Sequence, residues 1–216
     1  METIEIDYKK SGIGVALDVG TTTIAGACVD LSDGHVIART SLENPQSRWG
    51  RDVVSRLEAV CAEPGLLTEL SASLVGACNS IIRWLAKGAP VAGITAAGNP
   101  LMEHLLLGVS PEPLSRVPYR PAFKEAQRMD AGQTGLCSCA RTELYVFPLI
   151  GGFVGGDAVA VALSLGLKGA KEPVLAIDIG TNSEILLASG PDLYATSAAA
   201  GPAFEGGQVS SGMVAG

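Results

Sequence analysis

Apolar residues recur along the chain with two different periods, which separate predicted strands from predicted helices. Residues 13–19 alternate and are rich enough in β-branched side chains for a strand. Apolar side chains recur every three to four positions in residues 52–62 and 66–87, which indicates helices. The same criteria predict strands at 13–19, 24–30, 35–41, 91–97, 144–150, 174–179, 184–188 and 193–197, and further helices at 100–107 and 157–167. The order β-β-β-α-β-α-β-α, followed by three more strands, indicates an α/β fold.

A sequence repeat marks the start of both groups of strands. GVALDVGT at 14–21 matches VLAIDIGT at 174–181, an offset of 160 residues. A repeat of this kind indicates two related halves of one fold. We therefore expect a leader at 1–12, a first half at 13–155 with helical and Pro-rich insertions, and a helix and a second half at 156–216. The second half is expected to be truncated after little more than its first three strands.

Each copy of the repeat ends in Asp-x-Gly-Thr, where an apolar strand gives way to a turn. The carboxylates of Asp18 and Asp178 end otherwise apolar strands, where an unpaired charge is costly, and a hydrated Mg²⁺ facing a phosphate chain would offset that cost. Glycine at each turn permits backbone amides to point at an anion. The predicted phosphate-binding residues are Gly20, Thr21, Thr22, Thr23, Gly180, Thr181 and Asn182, and the predicted magnesium residues, acting through water, are Asp18 and Asp178. Ordinary strand-ending turns are the alternative interpretation.

The composition limits the classes of partner and the location. A net charge of −7 disfavours a broad basic surface for nucleic acid or anionic lipid. The longest helical apolar run, residues 158–167, is too short for a bilayer span, and the acidic start does not match a signal peptide. We therefore predict a cytoplasmic protein with no membrane and no nucleic-acid partner. The five cysteines lack zinc or iron–sulfur spacing, so no iron–sulfur cluster is predicted in this chain.

The paired hairpins resemble those of the actin-like ATPase superfamily, which includes actin, the sugar kinases and the heat-shock chaperone ATPases. This resemblance implies two ribonuclease-H-like halves facing each other across a nucleotide cleft, with ATP and Mg²⁺ held between segments 18–23 and 178–184. It also implies a crossing helix that begins with an acidic residue. The alanine-rich helix predicted at 157–167 resembles it, which makes Asp157 the candidate catalytic residue that orients the attacking water. A simple helix cap is the alternative role for Asp157, because a negative charge is favourable at a helix N-terminus.

A narrower resemblance points to one branch, the reductive activators of corrinoid proteins. The motifs are NPQ at 44–46, GRDV at 50–53, SR at 55–56, GN at 98–99 with Met102 and His104, FVG at 153–155 with Asp157, and AAGPAFEG at 199–206. The family implies an ATP-dependent protein that returns a cob(II)alamin-type cofactor to Co(I) in methyl-transfer pathways, with slow hydrolysis that gates conformational change. Pro100, Ser183 and Ser211 depart from the family pattern, and Ser183 lies within the second phosphate segment.

The resemblance also implies partners. These are a corrinoid protein and an iron–sulfur electron donor, acting in trans or on a domain missing from this chain. Gly201 and Glu205 lie where a helix is expected to open beside the cleft, so both are candidate nucleotide-binding residues, with Glu205 facing the nucleotide or the partner. A homodimer is left open.

Two other functions are consistent with the same residues. In a small-molecule kinase of the superfamily, Asp157 would be the general base for a substrate hydroxyl. In a non-enzymatic fragment, the shortened second half would bind a partner instead of adenosine. His104 is expected to be structural, and Arg48, Arg51 and Arg56 are expected to lie on a solvated helix face more readily than on a partner surface.

Overall fold

The computed structural model describes residues 12–136, 142–180 and 182–199. Three predicted site residues, Thr181, Gly201 and Glu205, lie outside the described residues, as do the Ser211 departure and the 199–206 motif apart from Ala199. The described segments form a six-stranded sheet and a three-stranded sheet with four α-helices.

The larger sheet is mixed, and its strands follow the order β3-β2-β1-β4-β6-β5. β1 pairs antiparallel with β2 and parallel with β4, β4 pairs parallel with β6, and β5 is antiparallel to β6. The strands are β1 (Ile13–Val19), β2 (Thr23–Asp30), β3 (Val36–Glu43), β4 (Val91–Gly98), β5 (Gln127–Asp130) and β6 (Glu143–Val146). This arrangement confirms the predicted α/β class.

Two of the four described α-helices begin at a side-chain cap. The four helices are α1 (Val53–Ala62), α2 (Leu66–Ala86), α3 (Pro100–Leu107) and α4 (Gly156–Ser164). Asp52 and Ser55 form a reciprocal capping box for α1. The Asn99 side chain accepts from the amide of Met102, which confirms the predicted start of α3.

The main core lies between the larger sheet and α2. Along α2 the residues at helical spacing, including Leu70, Leu74 and Ile81, are buried. The helix packs closely on β2 because Gly26 has no side chain, and a Cβ there would overlap the Ile81 Cγ2. Burial of this apolar stripe is the dominant stabilising term for this part of the fold.

The smaller sheet consists of β7 (Val174–Ile179), β8 (Asn182–Ser189) and β9 (Asp192–Ala199), joined antiparallel in that order. Its core is small: Ala158 and Ala162 of α4 pack with Ala176, Leu186 and Ala188. The small residues of α4 therefore have the packing role that their size predicts.

Two predicted segments differ from the structure, and one strand was not predicted. The strand predicted at 144–150 is confined to β6, and β5 was not predicted. The helix predicted at 157–167 ends at Ser164, because Gly166 adopts a positive φ of 61° and a short 3-10 helix, Leu167–Gly169, follows. Within the described residues, no helix is long and apolar enough to cross a bilayer.

Candidate functional site

The first Asp-x-Gly-Thr turn is fixed from its interior side by three side chains. Asn44 Nδ2 donates to the Gly20 carbonyl at 2.9 Å, and Arg56 Nη2 donates to the Thr21 carbonyl at 2.7 Å. Asn99 Nδ2 donates to the Thr21 hydroxyl oxygen at 2.8 Å. The turn therefore has a defined backbone conformation, because each of these polar groups is satisfied by a buried partner.

Glycine is required in this turn by a close backbone approach. A Cβ at Gly20 would overlap the carbonyl oxygen of Thr23. Thr21 is buried, whereas Thr22 and Thr23 are exposed. The two exposed threonines present their side chains on the solvent side of the turn.

The second turn joins β7 to β8 and brings an acidic pair together. In the ladder Asp178 lies directly opposite Glu184, and like charges at directly opposite positions repel. Glu184 is buried, and this burial raises the pKa of its carboxyl to about 7, with the charges of Asp157 and Asp178 acting in the same direction.

Asp157 lies in the first turn of α4 between the two hairpins. Its Oδ1 accepts from the amide of Ala158 at 2.8 Å, while Gly155 is the N-cap residue. Desolvation raises the pKa of Asp157 to about 6, and the charges of Asp18 and Asp178 add to this effect. The pKa of Asp18 is also raised, first by desolvation and then by the charge of Asp178. The structure therefore brings together the three carboxylates that the sequence nominates.

These carboxylates fit a hydrated magnesium ion better than a bare one. Among the described residues, the only three potential ligands within direct metal-binding distance of one another are Asp30, Asp33 and His35, which lie in a surface turn. In this arrangement, therefore, Asp18, Asp157 and Asp178 do not all bind one ion directly. Mg²⁺ usually retains several waters and takes one or two carboxylates, so the residues present suit the predicted water-mediated site.

A buried carboxylic acid, Glu103 of α3, lies next to this site. Its Oε1 accepts from the amide of Gly98 at 3.2 Å, while its Oε2 and the hydroxyl of Tyr145 have no hydrogen-bond partner among the described residues. Burial raises the pKa of Glu103 to about 9, and the charge of Asp157 contributes. Glu103 is therefore neutral at pH 7.

Sequence reasoning missed Glu103 and did not nominate Glu184. The available signal for Glu184 was its position in a tight hairpin, which sets it opposite Asp178. Glu103 gave no comparable signal, because a glutamate in a helix is ordinarily exposed.

Three of the four glycines in the loop before α4 and at its first position are places of close approach. A Cβ at Gly155 would overlap the Gly98 carbonyl oxygen, and one at Gly156 would overlap Glu103 Oε1. A Cβ at Gly152 would overlap the Tyr119 carbonyl oxygen, whereas Gly151 has open space around it. The close approach of Gly155 to Gly98 therefore places the start of α4 against the end of β4.

His104 has the structural role expected of it. Its Nε2 accepts from the amide of Ala122 at 3.0 Å, which leaves Nδ1 to donate to the Pro100 carbonyl at 2.6 Å. The ring also stacks on Phe123, with 4.7 Å between centroids. Burial lowers the pKa of His104, so the neutral form is favoured.

The three arginines of the α1 region divide into two kinds. Arg48 and Arg51 are exposed, and Arg48 stacks over the Trp49 ring. Arg56 is completely buried, so the prediction that it belongs to a solvated helix face is wrong. Its guanidinium donates to the carbonyls of Gly50 and Thr21, and the spacing of apolar residues along a helix gives no sign of such acceptors.

A groove of about 540 Å³ lies between helices α1 and α3 on one side and the smaller sheet on the other. Val54, Asn99 and Phe153 line it from one side, and Asn182 and Ser197 line it from the other. Volumes of a few hundred cubic ångströms are typical of small-molecule sites.

Comparison with known proteins identifies the family. The profile described as "RACo middle region" matches residues 13–170, and the profile described as "C-terminal domain of RACo the ASKHA domain" matches residues 172–216.

Two curated relatives carry related names. The corrinoid activation enzyme RamQ of Eubacterium limosum is 33% identical over 212 residues, which are 96% of this chain and 35% of that protein. A Co(II) methylated amine-specific corrinoid protein reductase of Methanosarcina barkeri is 27% identical over 215 residues, covering 94% of this chain and 39% of that protein. The chain thus spans little more than a third of the length of either relative.

A solved structure agrees with both. A reductive activator for a corrinoid iron–sulfur protein superposes with a TM-score of 0.87 at 33% identity, covering 95% of this chain and 33% of that one. The predicted resemblance and the predicted actin-like architecture are both confirmed. The chain belongs to the RACo family of reductive activators of corrinoid proteins, and its fold is the actin-like ASKHA fold.

Proposed function

We propose that this chain is the nucleotide-binding core of a protein that reactivates corrinoid proteins by ATP-coupled conformational change. The observation that carries the proposal is the meeting of Asp18, Asp157 and Asp178, which come from two hairpins and the helix between them. Asp178 raises the pKa of both Asp18 and Asp157, and negative charges gathered in this way form a site that favours a cation. Mg²⁺ bound to a nucleotide would supply that cation and neutralise phosphate charge.

The first turn is suited to the phosphates through its backbone. The carbonyls of Gly20 and Thr21 accept from interior side chains. In a trans peptide the N–H points opposite to the C=O, so the amides of Thr21 and Thr22 point away from the interior. These amides and the exposed hydroxyls of Thr22 and Thr23 would hold phosphate oxygens, with Gly180, Thr181 and Asn182 opposite them.

Asp157 would orient the water that attacks the terminal phosphate. A carboxyl whose pKa is raised to about 6 remains mostly ionised at pH 7 and can accept a proton from water. The bond that Asp157 makes to the Ala158 amide fixes its direction. Hydrolysis would be slow and would gate the cleft, altering affinity for a cytoplasmic corrinoid protein that receives electrons from an iron–sulfur donor.

The test combines binding, turnover and corrinoid reduction. Calorimetry should show MgATP binding to the wild-type protein, and Asp157→Asn should bind with a Kd within about threefold while losing ATP hydrolysis by about 100-fold or more. Asp192→Asn, an exposed carboxylate on β9, is the matched control and should keep both properties. With a corrinoid protein and a low-potential reductant, the absorbance of Co(I) should appear only with ATP.

Two outcomes would overturn the proposal. The first is that the wild-type protein binds no MgATP, because the acidic site then does not bind the ligand proposed for it. ATP consumption that requires an added sugar or acid, and not a corrinoid protein, would indicate a small-molecule kinase instead.

A further inference from the structure

Arg56 of α1 is a buried cation whose hydrogen-bond partners are all neutral. None of its surface is exposed. Nε donates to the Gly50 carbonyl at 2.8 Å, and Nη2 donates to the Thr21 carbonyl at 2.7 Å. Nη1 contacts Gln46 Oε1 at 3.1 Å and Met102 Sδ at 3.5 Å. Within the described ranges, Arg56 forms no ion pair with a carboxylate.

Such an arrangement is unusual, because a charge removed from water is normally compensated by a partner of opposite sign. Burial lowers the pKa of Arg56 to about 10, so the guanidinium still carries its charge at neutral pH. The charge of Asp52 opposes this shift, but Asp52 is exposed and serves as the N-cap of α1. The charge of Arg56 is therefore incompletely balanced by the described residues.

The guanidinium acts on one peptide of the first turn. The Thr21 carbonyl that accepts from Arg56 belongs to the same peptide unit as the Thr22 amide. Because the two groups are antiparallel, the bond turns the Thr22 N–H toward the opposite side. A charged donor on the carbonyl also polarises the peptide, which makes that N–H a stronger donor.

The guanidinium is itself held by a buried chain of polar groups. Gln46, which accepts from Arg56, donates through Nε2 to the Leu70 carbonyl at 3.0 Å. The amide of Gln46 donates to Asn44 Oδ1, and Asn44 supports the Gly20 carbonyl. The cation is thus locked in place before any ligand arrives, which avoids the entropy cost of ordering a surface arginine.

We propose that Arg56 is a positioning residue for a polyphosphate anion: it fixes the Thr21–Thr22 peptide with its amide outward and supplies the positive charge that the anion then balances. The proposal rests on the proposed nucleotide-binding function. It names the polyphosphate, not the nucleoside, as the part of the ligand that Arg56 favours. Arg56 acts through the peptide and does not touch the ligand.

The experiment compares the effect of charge with that of geometry. Calorimetric titrations of MgATP and MgADP are made on the whole protein and on Arg56→Gln, Arg56→Lys and Arg51→Gln. We expect Arg56→Gln to weaken MgATP binding by about tenfold or more, the scale of one charge-assisted hydrogen bond, and MgADP binding by less. Arg56→Lys keeps the charge but loses the planar fork, so it should weaken MgATP binding by less than about tenfold. Arg51→Gln removes an exposed charge nearby and should stay within about twofold.

Several results would overturn the inference. One is an Arg56→Gln affinity within twofold of wild type, and another is an equal loss in Arg56→Gln and Arg56→Lys, which would make the charge irrelevant. Should Arg56→Gln fail to fold by circular dichroism, Arg56→Lys decides alone, and a tenfold loss in it overturns the inference. Absence of MgATP binding by the wild-type protein is a different result, since it overturns the proposed function itself.

Discussion

The two Asp-x-Gly-Thr hairpins begin with similar sequences but occupy different surroundings. β1 lies between β2 and β4, and its last residue, Val19, is fully buried. β7 lies at the edge of its sheet, and the equivalent residue, Ile179, is 82% exposed. The turns also differ in length, since four residues separate the last pair Val19–Ile24, and three separate Ile179–Ser183. A shared motif therefore defines where the chain turns, and neighbouring residues define how firmly the turn is held.

The glycines of the two turns give the sharpest way to test this difference. Gly20→Ala places a Cβ against the Thr23 backbone and should lower the free energy of unfolding by about 3 kcal/mol, the upper range for overpacking. Gly180→Ala brings its Cβ to 3.1 Å from the Asn182 carbonyl oxygen and should cost less than about 1 kcal/mol. Urea unfolding of both variants measures the difference. Equal losses would show that the two turns are equally constrained.

Removal of a polar side chain that holds the first turn should give the next largest loss in the free energy of unfolding. Asn44→Ala removes donors and acceptors that satisfy the Gly20 carbonyl and the Gln46 amide, and should cost about 2 kcal/mol. Asn182→Ala at the second turn, where the side chain is half-buried, should cost about 0.5 kcal/mol or less. The same urea titrations decide, and a loss in Asn182→Ala as large as that in Asn44→Ala would contradict the comparison.

The smallest effect concerns the acidic pair of the second hairpin. The folded pKa of Glu184, about 7, lies above its ordinary value of 4.5, so the folded state binds more protons between these pH values. The ionisation of Glu184 therefore lowers the free energy of unfolding. This loss is absent below about pH 4.5, grows as the pH rises and is complete above about pH 7. Glu184→Gln should raise stability at pH 8 by about 1 kcal/mol and leave it little changed at pH 4.5.

The control for this prediction is Glu172→Gln, which changes an exposed carboxylate before β7 and should leave the pH profile unaltered. Unfolding free energies at pH 4.5 and pH 8 make the comparison. If Glu184→Gln has the same unfolding free energy as the wild type at both pH values, the Asp178–Glu184 pair does not destabilise the protein.

Much of the strand and helix pattern could be predicted from the sequence, because local signals determine it. The alternation in β1, the repeat that places β7, and the Asn99-Pro100 cap of α3 all act within a few residues. β5 was missed because Gln127–Asp130 alternates between partly buried and exposed positions and holds a single apolar residue, Met129. Its pairing with β6 is a tertiary effect.

The residues of the candidate site likewise fall into those that motifs predict and those that only the tertiary structure reveals. Asp18, Asp157 and Asp178 were recognised from motifs, and their electrostatic coupling is visible in the structure. The burial of Arg56 and Glu103 was not predicted, because composition and periodicity place charged residues at the surface. Their burial depends on acceptors and donors that come from distant segments, which no local pattern encodes.

Asn99 joins two parts of the molecule that lie far apart along the chain. Its side chain holds the Thr21 hydroxyl, and its Cα meets the close approach of Gly155 at the start of α4. The first Asp-x-Gly-Thr turn and the start of α4 thus both contact Asn99, which directly follows β4. A substitution at Asn99 therefore alters the surroundings of both places at once.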